Sequence, residues 1–327
     1  SRHPCWLRLA EESADIWQAV RAALLAPGKR LRPRLFLLAA EGYGLTPLPA
    51  LAPVAVALEL AHAFVLTHDD LVDRSRTRRG GPALAARCDA AIAAHPPRAF
   101  TGGDVALLAG DLLYTLALDT LLDAAAPERV RLDALRAFTR AAQITALGAL
   151  REIELARLPL EQVTHEALLH AYRLKTACYT FALPLQLAAL FAERREALAA
   201  PIAAFADAAG VAFQLANDLD AIDPWVRGGP VPDDIRDRRL TPALLHVWQR
   251  AGAADRGSLM AGDEDVARRL FAAAGASAWL RARIGEHAGE ASRAVAALSL
   301  SAAAAAQVRR MLHPSFSRSG ENTHTAT

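Results

Sequence analysis

The chain has 327 residues and a formal net charge of +2, a balance too near neutral for the basic field that draws nucleic acid. Apolar residues make up 53% and charged residues 22%, which excludes a disordered chain and leaves material for a large core. Three scattered cysteines, Cys5, Cys88 and Cys178, argue against a disulfide framework and for a reducing, cytoplasmic compartment.

The opening Ser1-Arg2-His3-Pro4 turns directly amphipathic and reads without a signal peptide. Alanine and leucine then dominate, with apolar residues at helical spacing, as in Leu113, Leu116, Ala117 and Leu121. In chain order the pattern predicts helices over 8–26, 29–43, 50–73, 103–125, 127–157, 162–192, 195–223, 239–251, 263–273 and 277–311, the last broken near 286. Breakers separate them at Pro27-Gly28, Gly42 to Pro49, Gly80-Gly81-Pro82, Pro96-Pro97, Gly102-Gly103 and Gly228 to Pro232. Segment 83–101, rich in small residues and proline, reads as a loop insertion. Segment 315–327 reads as a disordered polar tail. The longest apolar stretch, Leu48 to Leu66, holds Pro49, Pro53, Glu59 and His62, which argues against a membrane span. Long apolar helices predict an all-α bundle with buried helices. Length alone suggests about two domains. No linker or composition shift divides the chain, so one domain over 1–314 is expected.

The chemistry lies in the charges. Of 37 basic residues only two, Lys29 and Lys175, are lysines. Each is either a remnant of arginine-rich codon usage or a position that needs a compact ammonium in place of a planar fork. Asp69, Asp70 and Asp73 end an apolar helix, with Asp69 and Asp73 one turn apart on one face. Three carboxylates at a helix C-terminus repel one another and oppose the dipole, unless a cation sits among them. Mg²⁺ suits the set, because it takes one or two carboxylates and fills its shell with phosphate oxygens and water. A solvated acidic helix end is the other reading. Arg74, Arg76, Arg78 and Arg79 follow, either to grip a diphosphate from the side opposite the metal or to neutralise the aspartates.

In this order of motifs the chain resembles the trans-isoprenyl diphosphate synthases, the farnesyl and geranylgeranyl diphosphate synthase family. The resemblance rests on Gly28-Lys29-Arg30-Leu31-Arg32-Pro33, Glu59-Leu60-Ala61-His62, Asp69/Asp70/Asp73, Arg78-Arg79-Gly80, Gly110-Asp111-Leu112-Leu113, Lys175-Thr176, Gly210 with Phe213-Gln214, and acids at 217–220. It implies an all-α isoprenoid synthase-like domain around a deep central cavity, as a homodimer. Lys29, Arg32, His62 and Arg79 would hold isopentenyl diphosphate. Asp69 and Asp73 would bind Mg²⁺ on the allylic prenyl diphosphate, with Asp70 supporting. Arg78 and Lys175 would grip that diphosphate as it leaves. Thr176 and Gln214 would line the region where the carbocation develops. Phe64, five residues before Asp69, would limit chain growth and set products of C15 to C20.

The second acidic motif of the family, Asp-Asp-x-x-Asp, here reads Asn217-Asp218-Leu219-Asp220-Ala221. Asn217 offers a carbonyl oxygen without charge, and Asp220 is displaced by about 100° round the helix. Asn217, Asp218 and Asp220 therefore imply a weakened further metal site, with Asp223 near enough to join it. Asp234 and Arg239 fall in a loop like the acidic-basic loop of the family, with Arg239 where lysine is usual. Asn217 also admits a terpene cyclase or other prenyl-transfer enzyme on the same fold. Ala221 and Trp225 stand where that reading expects serine and glutamate, and a cyclase has no use for Lys29, Arg32, His62 and Arg79. A non-catalytic partner subunit is the third reading.

Overall fold

The computed structural model describes residues 14–46, 48–78, 81–93 and 99–316. It is 81% helical, in accord with the all-α expectation. A two-residue antiparallel pair, β1 (Thr77–Arg78) and β2 (Gly81–Pro82), makes up the strands among the described residues. Contacts gather the chain into two compact units, Ser1–Leu37 with Thr46–Arg136, and Leu38–Leu45 with Ala137–Thr327. Both outer divisions fall inside helices, so no linker marks them.

The first unit holds α1 (Ala14–Leu25), the start of α2 (Leu31–Gly42), α3 (Ala52–Val72), α4 (Leu84–Ile92), α5 (Gly102–Leu122) and the start of α6 (Glu128–Ala156). Helix α2 starts at Leu31 because Arg30 adopts a left-handed backbone, φ 48°. Pro53 sits in the first turn of α3, where its missing N–H removes no helical bond. Segment 83–101 is not an irregular loop: Leu84 to Ile92 is the helix α4. Leu84 and Cys88, one turn apart, are buried against Val20, Ala106 and Ala109. That packing overrides a run of small residues with weak periodicity. Thr101 and Asp104 cap α5 reciprocally, and the Gly102 N–H donates to Asp89 at 2.6 Å, which ties α4 to the start of α5. On α5, Gly110 lets α3 come close: a Cβ there would lie 2.3 Å from Nε2 of His68.

The second unit holds the rest of α6, then α7 (His165–Tyr172), a π-helix (Arg173–Ala182), α8 (Leu183–Phe191) and α9 (Arg195–Val226). After the one-turn helix Asp233–Arg236 come α10 (Pro242–Arg250), α11 (Ala253–Ala261), α12 (Glu264–Ala273), α13 (Ala276–Ala294) and α14 (Ala302–Phe316). Helix α9 runs along both α13 and the π-helix. Its buried face carries Leu215, Leu219, Ile222 and Trp225, the last edge-on to Phe271 with ring centroids 5.3 Å apart. The expected break near 286 is absent, because Leu280, Ile284 and Ala291 keep α13 packed through Gly285. The chain turns instead at Ser299, φ 53°, and the Ser301 hydroxyl accepts from the Ala304 N–H to restart it. Helix α11 escaped the sequence pattern because Leu259 is its one buried residue.

Two glycines press on the π-helix. A Cβ on Gly148 of α6 would lie 2.4 Å from the backbone nitrogen of Lys175. A Cβ on Gly210 of α9 would lie 2.5 Å from Cα of Ala177. The widened turn thus runs between two helices that can approach it only without side chains, and it carries Lys175 and Thr176. Helical stretches Leu48–Val72, Gly102–Leu122, His165–Phe191 and Arg195–Val226 are long and apolar enough to cross a membrane by length and composition alone.

Gly210→Ala is expected to destabilise the fold by roughly 1–3 kcal/mol, as overpacking against backbone does. Gly285→Ala, with open space around it, is expected to stabilise by up to about 1 kcal/mol. Urea denaturation of the two variants measures both.

Candidate active site

In the first unit the acidic motif divides into two functions. Asp70 is buried, 6% exposed, and points at Arg78, which gives it two hydrogen bonds, one from Nε at 2.7 Å and one from a terminal amino group. The same guanidinium lies 3.7 Å from Asp69. Burial opposes the charge on Arg78, yet the bond to Asp70 and the charges of Asp70, Asp69 and Asp73 hold its pKa above the ordinary arginine value. Burial pushes Asp70 up, with Arg78 opposing. Asp70 is therefore a support for Arg78, not a member of an outward metal face. One residue from Asp69 is about 100° of helix rotation, enough to turn it inward. Asp69 and Asp73 remain one turn apart, with the Asp73 N–H bonded to the Asp69 carbonyl at 2.8 Å.

Among the described residues, no three His, Cys, Asp or Glu side chains converge as a ready-made metal cage. Two half-buried carboxylates on one helix turn nevertheless fit Mg²⁺, which draws the balance of its shell from phosphate and water.

Beside this motif the first unit holds a partly open cavity of about 260 Å³. His62 lines it with Arg30, Glu59, Asp70, Arg78 and Arg87. Arg30 is ion-paired with Glu59 and donates to the carbonyls of Ala26 (3.0 Å) and Leu24 (3.3 Å). Of the four residues assigned to isopentenyl diphosphate, only His62 is found in this wall. Lys29 is exposed in the loop before α2, Arg32 is buried within α2, and Arg79 lies outside the described residues. Phe64 on α3 lies between His68 and Tyr114, with ring centroids 4.8 and 4.9 Å away.

In the second unit the candidate residues also gather. The Thr176 hydroxyl donates to the Gln214 carbonyl at 3.2 Å, and the Asn217 amide lies 3.5 Å from the same oxygen. Lys175 Nζ is paired with Glu152 at 2.8 Å. Asp218 is buried and accepts from the Tyr172 hydroxyl at 2.8 Å. Burial first, then the nearby charge of Asp234, pushes its pKa well above the carboxylate range. Asp218 thus faces the interior, with the charges of Asp234 and Glu152 close to it. Asn217 is exposed and Asp220 half-buried. Asp223 cannot join them, because it is buried and paired with Arg227 and Arg281, each at 2.7 Å. Glu152 and Tyr172 escaped the sequence reading. Gly148, four residues before Glu152, was the available signal, since an isolated glycine in a helix marks close approach.

Tyr172→Phe removes the hydroxyl donor of the buried Asp218 carboxylate and leaves Gln214 to hold it. The expected loss is about 1–3 kcal/mol of stability, read from urea denaturation at neutral pH.

The chain was compared with known proteins. The polyprenyl synthetase family model matches residues 14–268. A (2E,6E)-farnesyl diphosphate synthase of Mycobacterium bovis is 31% identical over 303 residues, 88% of this chain and 78% of that protein. A short chain isoprenyl diphosphate synthase of Methanothermobacter thermautotrophicus is 30% identical over 86% of this chain and 85% of its own length. The crystal structure of geranylgeranyl pyrophosphate synthase from Corynebacterium glutamicum, complexed with isoprenyl diphosphate and magnesium, matches with TM-score 0.83 and 28% identity over 93% of this chain and 91% of that one. The chain belongs to the polyprenyl synthetase family.

Proposed function

We propose that this protein condenses an allylic prenyl diphosphate with isopentenyl diphosphate, head to tail, giving a trans-prenyl diphosphate of C15 to C20 and free diphosphate. The observation that carries the reading is the Asp69/Asp73 pair beside Arg78, next to a cavity walled by guanidinium groups and His62. Asp69 and Asp73 would hold Mg²⁺, which when bound neutralises charge on a departing diphosphate. Asn217 and Asp220 form a weaker donor set for a further ion. Arg78, fixed by Asp70, presents a preorganised cation to the allylic diphosphate and does not reorganise as negative charge develops there. His62 faces the isopentenyl diphosphate. Lys175, by its place in the order of family motifs, serves the departing diphosphate. Thr176 and Gln214, bonded to one another, offer oriented dipoles to the carbocation. The proton lost after carbon–carbon bond formation goes to the released diphosphate.

The long apolar helices serve this chemistry as core and as walls that keep water from a carbocation, not as membrane spans. Glu59 within the first of them is ion-paired to Arg30, which suits protein interior better than lipid. Helix α6 carries exposed Leu147, Leu150 and Ile153 at helical spacing, and this apolar stripe supports a homodimer. Buried Cys88 and half-buried Cys178, both free thiols, suit a reducing cytoplasm. A cyclase is disfavoured because Trp225, where that reading expects a carboxylate, is fully buried against Phe271.

The test is an incubation of the purified protein with Mg²⁺ and dimethylallyl or geranyl diphosphate, with and without isopentenyl diphosphate. Longer diphosphates formed only with isopentenyl diphosphate are expected. Hydrocarbons or alcohols formed without it would instead mark a cyclase, and no turnover a partner subunit. Asp69→Asn and Asp73→Asn are each expected to lower kcat by about 10²–10³-fold, with thermal unfolding unchanged. Phe64→Ala is expected to lengthen the products, as read by chromatography of the dephosphorylated alcohols. Unchanged lengths would return Phe64 to ordinary packing.

A further inference from the structure

Of the three guanidinium groups that line the cavity of the first unit, one has no carboxylate partner among the described residues. They are those of Arg30, Arg78 and Arg87, against the carboxylates of Glu59 and Asp70. Arg30 is paired with Glu59, and Arg78 with Asp70. Arg87, in the first turn of α4, makes one hydrogen bond, from Nε to the Pro82 carbonyl at 2.9 Å, and has no carboxylate partner among the described residues. That bond fixes the plane of the fork while leaving its terminal amino groups available. Gly81 makes room for them: a Cβ there would lie 3.1 Å from one terminal nitrogen. A half-buried guanidinium, anchored at Nε and lining a cavity, is arranged to receive an anion from solution.

We propose that Arg87 is a further substrate-binding residue, its terminal amino groups taking the diphosphate of the substrate that enters this cavity. The anion chemistry follows from the Arg87 fork, anchored at Nε and paired with no carboxylate among the described residues. The identity of the substrate as isopentenyl diphosphate rests on the function proposed above.

The first probe is inorganic pyrophosphate, titrated calorimetrically into the wild-type protein, Arg87→Gln and Arg87→Lys at low and at moderate salt. Loss of a charge-assisted fork is expected to weaken binding about tenfold in Arg87→Gln and less in Arg87→Lys. The salt dependence should flatten in Arg87→Gln, because one cation fewer meets the anion. In condensation assays KM for isopentenyl diphosphate should rise about tenfold in Arg87→Gln while kcat stays within about twofold, a split that a merely structural role would not give. Circular dichroism and the thermal midpoint check folding, and Arg87→Lys carries the test should Arg87→Gln not fold. Pyrophosphate affinity equal to wild type in these variants, or no pyrophosphate binding by the wild type, overturns the proposal. Arg87-dependent pyrophosphate binding without condensation would sink the functional reading and leave this site standing.

Discussion

A carboxylate can stay ionised inside a protein only if something replaces the water it has lost, and for Asp70 that is the Arg78 guanidinium. Much of the first unit is arranged around that exchange. The strand pair β1–β2 folds the chain back after α3, so that an arginine eight residues from Asp70 returns to its side. The pair then fixes a positive group beside Asp69 without occupying both of the outward carboxylates. Removal of either partner leaves the other charged and stranded, so binding and folding are coupled at this point.

The same economy governs the second unit, with the signs reversed. Lys175 is the scarce ammonium, and Glu152 on a neighbouring helix accompanies it. Asp218 is held by a neutral donor, Tyr172, and shifts toward its protonated form as burial dictates. The altered acidic motif is therefore altered in kind as well as in letters. Asn217 remains outside, and the acid that follows it is folded into the interior.

Legibility in the sequence followed the range of the interactions. Helices with a sustained apolar stripe were readable to within a few residues, as was the one-turn spacing of Asp69 and Asp73. Scarcity made Lys29 and Lys175 conspicuous. What could not be read depended on partners distant along the chain. Asp70 pairs with Arg78, one of the two roles the sequence leaves open for the arginines after the motif, whereas Glu152 is an ordinary helical glutamate until Lys175 is placed 23 residues later. Helix α4 hid for a related reason. Leu84 and Cys88 announce a face only when Val20 and Ala106 are there to cover it. The inward turn of the aspartates at 218 and 223 stayed hidden because letters give spacing and not direction.

The π-helix has one further implication. A turn closed by i→i+5 bonds sweeps less angle per residue than an α turn, so the ten residues from Arg173 to Ala182 act as a phase slip between the helices on either side. Tyr172 before it and Leu185 after it are both buried, although the stripes they belong to need not align along one straight axis. Such a widened turn takes up an extra residue with little net rotation, so loss of one residue here would return ordinary winding while α8 keeps nearly its phase. What would be lost is the seating of Lys175 and Ala177 against Gly148 and Gly210.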